Sequence, residues 1–223
     1  MNHKKIEIWR PALYLANMCF ISLIPLICTA ISSQSGHSNA YLSTISASYL
    51  QFPERLIFAI GVAIFVAIYG FVTGPVSSNI ISNKQHGRFA HQTEILILSV
   101  WFTIAAIPAH LVLGLHASLA GILAGACLLW MSTIIEHARC ITWLLHLRRI
   151  LFTLACFFAF AMIVSFPHRI VFELSADRGN IDKLLYLLGL DNRWFIFAHF
   201  EWAFFYTVIL FFVTCTPTPP RMH

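Results

Sequence analysis

The sequence predicts an all-α polytopic membrane protein, a bundle of six transmembrane helices with both termini cytoplasmic. Three observations carry that reading. Six separable apolar stretches are each about 20 residues long, the length that crosses a bilayer. Hydrophobic residues make up 59% of the 223 positions and charged residues only 10%, too few to coat a soluble globule of this size. The stretches are also continuous, as in Leu56-Ile57-Phe58-Ala59-Ile60, without the alternation of barrel strands, so helices are what satisfies their backbone in lipid. Residues 1–223 therefore read as one six-helix transmembrane domain.

The first span is expected over Pro11–Ile31. Met1–Arg10 ahead of it, with Thr29-Ala30 near its end, has the look of a secretory signal, but the apolar run is long for one and reads as an uncleaved anchor. A polar loop, Ser32–Arg55, follows. Pro53 holds Phe52 extended and can open the second helix at its first turn, where a missing N–H costs nothing. Glu54 then suits the positive end of that helix dipole. This stretch reads either as a plain helix start with an interfacial arginine or as a site for a lipid headgroup or partner.

The second span is expected over Leu56–Thr73, the third over Ile95–Leu113 and the fourth over Ser118–Ile135. Ala117, Gly121 and Gly125 recur every four residues along the fourth, a spacing that permits close helix packing, expected here inside the bundle. The fifth span is expected over Ile150–Phe166 and the sixth over Trp194–Thr214. Between them, Pro167–Arg193 contains the leucine-rich Asp182–Leu188 bounded by Gly179 and Gly189, as suits a helix lying in the interface. It reads equally as a lid or as a simple loop anchor.

Lysine and arginine set the orientation. The side shared by the two termini collects Lys4, Lys5, Arg10, Lys84, Arg88, Arg139, Arg148, Arg149 and Arg221, while the other has Arg55, Arg169, Arg178, Lys183 and Arg193. The net charge of +5 is thus spread over short juxtamembrane groups and forms no stripe, which argues for lipid headgroups and against nucleic acid. Six cysteines, Cys19, Cys28, Cys127, Cys140, Cys156 and Cys215, form no CxxC pair, and neither long lumenal loop contains one. A disulfide framework and a zinc site are not expected, nor is any cofactor.

Ionisable groups within a membrane are costly enough to be functional candidates. His110 and His116 flank the turn between spans three and four, and His199 and Glu201 lie early in span six, all toward the lumenal side. His199 and Glu201 are two apart on a helix and point about 200° away from each other, so at most one faces a given cavity. A histidine with a carboxylate can do general acid and base work, given a nucleophile or activated water. Ser46, Ser48 and Ser118 are at hand, but there is no G-x-S-x-G elbow and no H-E-x-x-H helix. An interhelical hydrogen bond is the competing use of each histidine.

Three stretches resemble a known family. Ile45-Ser46-Ala47-Ser48-Tyr49-Leu50-Gln51-Phe52-Pro53-Glu54-Arg55-Leu56-Ile57-Phe58-Ala59-Ile60-Gly61 is similar to the entry into the second helix of the Frag/DRAM/Sfk family. Leu115–Gly121 resembles the family's histidine at the start of span four, although Ala117 stands where many members have an acid. Ala198-His199-Phe200-Glu201-Trp202 resembles its signature in span six. The resemblance runs over nearly the whole chain, in order, with the same six-span plan. Pro53-Glu54-Arg55 resembles the branch that remodels glycosylphosphatidylinositol (GPI) anchors more than the autophagy branch.

That resemblance implies a Golgi or endoplasmic reticulum protein of the fatty-acid exchange after GPI attachment, in which the lyso anchor is reacylated. Its partners would be membrane lipids, with GPI-anchored proteins as substrate. It leaves open whether such a protein performs the acyl transfer or assists it. Arg55 would face phosphate, with Ser46, Ser48 and Glu54 beside it at the headgroup. His116, His199 and Glu201 would line the polar end of a lumenal cavity, a histidine as base and Glu201 orienting it. The alternative is a non-enzymatic regulator of autophagy or lipid asymmetry, acting through a lipid kinase or other membrane-protein partner at the lysosome or plasma membrane. A transporter is disfavoured because no inverted repeat or Gly/Pro-broken helix pair is present.

Overall fold

The computed structural model describes residues 3–37, 44–45, 47–49, 51–73, 76–107, 113–138, 140–166 and 192–216. Within them the chain is helical, and no strand occurs among the described residues. The elements are α1 (His3–Gln34), a 3-10 turn (Ala47–Tyr49), α2 (Glu54–Ala67), a π segment (Ile68–Thr73), the short α3 (Ser77–Ile80), α4 (Lys84–Ala106), α5 (Leu113–His137), α6 (Thr142–Ser165) and α7 (Asn192–Thr214). Six of the described helices are long and apolar enough to cross a membrane. The interfacial helix expected within Pro167–Arg193, like His110 and Ser46, lies outside the described residues.

Each long helix packs on the next in chain order, and α7 returns onto α1, which closes the bundle. On α1 the buried residues Tyr14, Met18, Ile21, Ile24 and Cys28 recur at helical spacing, while Leu23 and Ile27 on the outer face are exposed. The apolar outer surface belongs to lipid; small side chains, rings and polar contacts hold the inside together. Tyr14 donates to the Phe212 carbonyl at 2.8 Å and Tyr206 to that of Ser22 at 3.0 Å, joining the first and last helices. Trp130 of α5 stacks on Phe212 with centroids 4.2 Å apart. Trp101 of α4 bridges Phe65 of α2 and Phe205 of α7, so the centre is filled with rings.

The close approach in the bundle is at Gly61. A Cβ there would collide with Ile24 of α1, whose Cγ1 would lie at 3.0 Å. The expected packing stripe behaves otherwise. Gly121 and Gly125 are exposed, with nothing near the position of an added Cβ, so these glycines point away from the bundle and do not pack inside it. Spacing alone cannot say which face of a helix a small residue occupies.

The third span also starts earlier than its apolar run. Asn83 caps α4, its side chain accepting from the N–H of Gln85 at 2.9 Å and of His86 at 3.4 Å, and the helix then runs through the polar Lys84–Glu94 stretch. Glu94 is thereby buried well inside the bundle. At the end of α2 the chain widens into the π segment. Asn17 of α1 donates to the Phe65 carbonyl at 3.1 Å, just before the widening, and Tyr69 donates its hydroxyl to Glu94.

Candidate functional site

The expected site residues lie at the end of the bundle that holds the α1–α2 connection. Thr44, Ser48 and Tyr49 are buried there, folded into a tight turn. The N–H of Ser48 reaches the carbonyls of Thr44 and Ile45 at 3.1 and 3.2 Å, and its Oγ donates to the Ile45 carbonyl at 2.7 Å. Ser48 is thus spent on its own turn and does not present its hydroxyl to a headgroup.

Three elements grip this turn. From α7, Glu201 accepts the N–H of Ile45 on its Oε2 at 2.7 Å. From α2, Phe58 stacks on Tyr49, centroids 3.8 Å apart and planes 5° from parallel. From α5, the buried ring of His116 tilts against Tyr49 at 6.4 Å. Glu201 and His116 are therefore brought to the same short segment from helices distant in sequence.

His199 is not. It is exposed, its Nδ1 paired with the Phe195 carbonyl at 2.8 Å and its ring edge-on to Phe195 at 4.2 Å. The half-turn between His199 and Glu201 is as expected, and Glu201 is the inward member. A histidine outside the bundle does not share a cavity with His116, so the expected three-residue cluster reduces to two.

Glu54 departs from expectation too. Pro53 is the N-cap of α2, the Phe52–Pro53 peptide is cis, and Glu54 turns inward to 1% exposure instead of toward headgroups. Its Oε1 lies 2.8 Å from Nδ1 of His37, its carbonyl accepts from Cys28 Sγ at 3.5 Å, and its Oε2 has no hydrogen-bond partner. Arg55, one position on and so about 100° round the helix, is part-exposed at the rim. His37 was not among the expected residues. Only its place at the start of the polar loop, facing an acid at the loop's end, pointed to it.

A second polar cluster, at the opposite end, was missed. Glu94 accepts from the Tyr69 hydroxyl, the Val76 N–H at 2.9 Å, the Ser77 N–H at 3.3 Å and the Ser77 hydroxyl. Trp130 Nε1 donates to Ser77 Oγ at 3.2 Å. Four donors on one carboxyl group compensate its burial. Nearby, Arg148 donates to Thr214, from Nε to Oγ1 at 3.2 Å and from Nη2 to the carbonyl at 2.7 Å, so a buried cation caps the negative end of α7. The signal for Glu94 was an acid abutting the apolar run at Ile95.

Among the described residues no group of three or more His, Cys, Asp or Glu is placed to hold a metal ion. The loop end instead brings Glu201 and the imidazole of His116 to the turn that carries Ile45 and Tyr49, while Glu54 pairs with His37. No family model, no curated protein and no solved structure matches this chain.

Proposed function

We propose that this protein is a membrane-embedded factor in lipid remodelling of GPI anchors, acting on the lyso anchor's glycerolipid from the lumenal side of the Golgi or endoplasmic reticulum. One observation supports the reading above others: the three stretches that carry the Frag/DRAM/Sfk resemblance meet at one place. Ile45 of the first bonds Glu201 of the third, and Tyr49 of the first packs on His116 of the second. In this reading Arg55 takes the lipid phosphate at the rim, His116 is the base and Glu201 its orienting or charge-balancing group. His199, facing outward, has no part in it.

A non-enzymatic regulator is the second reading, favoured by the engagement of Glu201 by the chain's own backbone. Mass spectrometry of GPI-anchor lipids from cells lacking the gene tests the first. Lyso or unremodelled anchors in the null, rescued by wild type and not by Glu201→Gln at equal expression, are expected. Unchanged anchor lipids in the null would put the regulator first.

A further inference from the structure

We infer that His37 and Glu54 form an acid–base pair with an activity of its own, acyl transfer from the carboxylic ester of a membrane glycerolipid to an O–H nucleophile, with Nε2 of His37 as the proton acceptor. The inference goes beyond the anchor reading and does not rest on it, since any glycerolipid ester that reaches the loop end serves.

Both members are held by backbone. Helix α1 ends in a capping turn in which Gly36 takes a φ of +69°, its N–H meeting the Ser33 carbonyl at 3.3 Å and the N–H of His37 meeting that of Ser32 at 2.9 Å. This is the left-handed helix stop that glycine permits, and it fixes His37 just beyond it. Glu54 stands in the first turn of α2, where Cys28 of α1 donates its thiol to the Glu54 carbonyl at 3.5 Å and ties the two helices together. Nδ1 of His37 then lies 2.8 Å from Oε1 of Glu54.

The pair is graded from inside to outside. The side chain of Glu54 is 1% exposed and that of His37 is 26% exposed. A carboxylate that accepts from Nδ1–H sets the tautomer and leaves the ring's lone pair on Nε2, and no other described residue hydrogen-bonds that ring. A mere clasp between the two ends of the loop would hold as well at the surface. Glu54 is instead buried with Oε2 lacking a donor, a destabilising placement that a clasp does not need and that the orienting of a base explains. His116, buried against Tyr49, is a separate imidazole.

The chemistry follows from the lone pair. As the nucleophile's oxygen adds to the ester carbonyl, Nε2 takes its proton and Glu54 steadies the imidazolium. The tetrahedral intermediate then expels the glycerol oxygen, which takes that proton back from Nε2. With water as nucleophile the products are a fatty acid and a lysolipid. With a lipid hydroxyl the acyl chain moves to that lipid. His37 is the catalytic residue and Glu54 a positioning residue.

The test uses the full chain in nanodiscs of phosphatidylcholine carrying a deuterated acyl chain, with lysophosphatidylethanolamine as acceptor, followed by mass spectrometry. Deuterated free fatty acid identifies water as the nucleophile and deuterated phosphatidylethanolamine identifies a lipid hydroxyl; either supports the proposal. Neither product above the level of empty nanodiscs overturns it. His37→Ala is expected to lower the rate at least about 100-fold. Free imidazole should restore part of that loss, because it supplies the missing base and cannot replace a clasp. Glu54→Gln should lower kcat with KM unchanged, since it removes the charge behind the imidazolium and touches no lipid. A wild-type rate in His37→Ala, or a loss that imidazole does not relieve in a variant monodisperse on gel filtration, overturns the proposal. If His37→Ala is not monodisperse, Glu54→Gln decides, an unchanged kcat overturning the pair. An active pair with unchanged anchor lipids in cells lacking the gene removes the anchor reading and leaves the pair. Altered anchors with an inactive pair do the reverse.

Discussion

Glu94 holds Val76 by its backbone, Oε1 to N–H at 2.9 Å, and so anchors the connection after α2 inside the bundle. The same carboxylate takes the N–H and hydroxyl of Ser77, and Trp130 closes the network from α5. Glu94→Gln keeps one accepting oxygen but, whichever way the amide is turned, aims its NH₂ group at a backbone N–H, of Val76 or of Ser77, that can only donate. A loss of about 2–3 kcal/mol is expected, the cost of unsatisfied buried donors. It is read as a lower unfolding temperature in detergent, and Ser77→Ala should lower it less. Equal stability of Glu94→Gln and wild type would show the network to be energetically idle.

Gly61 and the pair Gly121 and Gly125 make opposite predictions from the same substitution. Gly61→Ala drives a methyl into the buried Ile24, at an expected cost of about 1–3 kcal/mol for overpacking. Adding Ile24→Val to Gly61→Ala should recover part of it. Gly121→Ala and Gly125→Ala meet open space and should leave the unfolding temperature of the monomer unchanged or slightly raised, since alanine favours helix. A fall at Gly121 or Gly125 equal to that at Gly61 would mean that the exposed stripe is covered in the membrane.

These residues also show what was legible beforehand. Apolar run length revealed six spans because lipid demands it of every crossing helix. It misplaced the start of the third because Lys84–Glu94 is polar yet still helical, capped by Asn83. Helical geometry separated His199 from Glu201, but which of them faces inward depends on Ile45, 156 residues away. Glu94 escaped notice because its donors sit on another segment, brought to it only after the π turn re-aims Tyr69.

Cys215 gives a chemical test of the packing at the end of α7. Burial pushes its thiol from an ordinary 9.0 up to about 12, while the Arg148 guanidinium pulls it partly back. A thiolate is what alkylating agents attack, so Cys215 should resist N-ethylmaleimide at pH 7.5 and at pH 9 while the protein is folded. Unfolding should release it. Because the folded value is the higher one, this group's contribution to stability is intact below pH 9 and is lost as pH rises toward about 12. Labelling of Cys215 as fast in the folded protein as in the unfolded one at pH 7.5, by peptide mass spectrometry, would contradict the buried placement.

Anchor remodelling in rescued null cells should divide the three candidate groups two to one. His116 and Glu201 both reach the turn that carries Ile45 and Tyr49, so, if remodelling runs there, His116→Ala and Glu201→Gln are each expected to cut it at least about 100-fold, the usual range for a lost acid or base. His199 is tied to the Phe195 carbonyl on the outer face, so His199→Ala should remodel anchors at close to the wild-type rate. Comparable loss in all three would place His199 at the site after all, through a rotation of α7 or a second protein copy. Normal remodelling in both His116→Ala and Glu201→Gln, at wild-type expression, would reduce the loop end to a structural clasp and remove the chemistry from it.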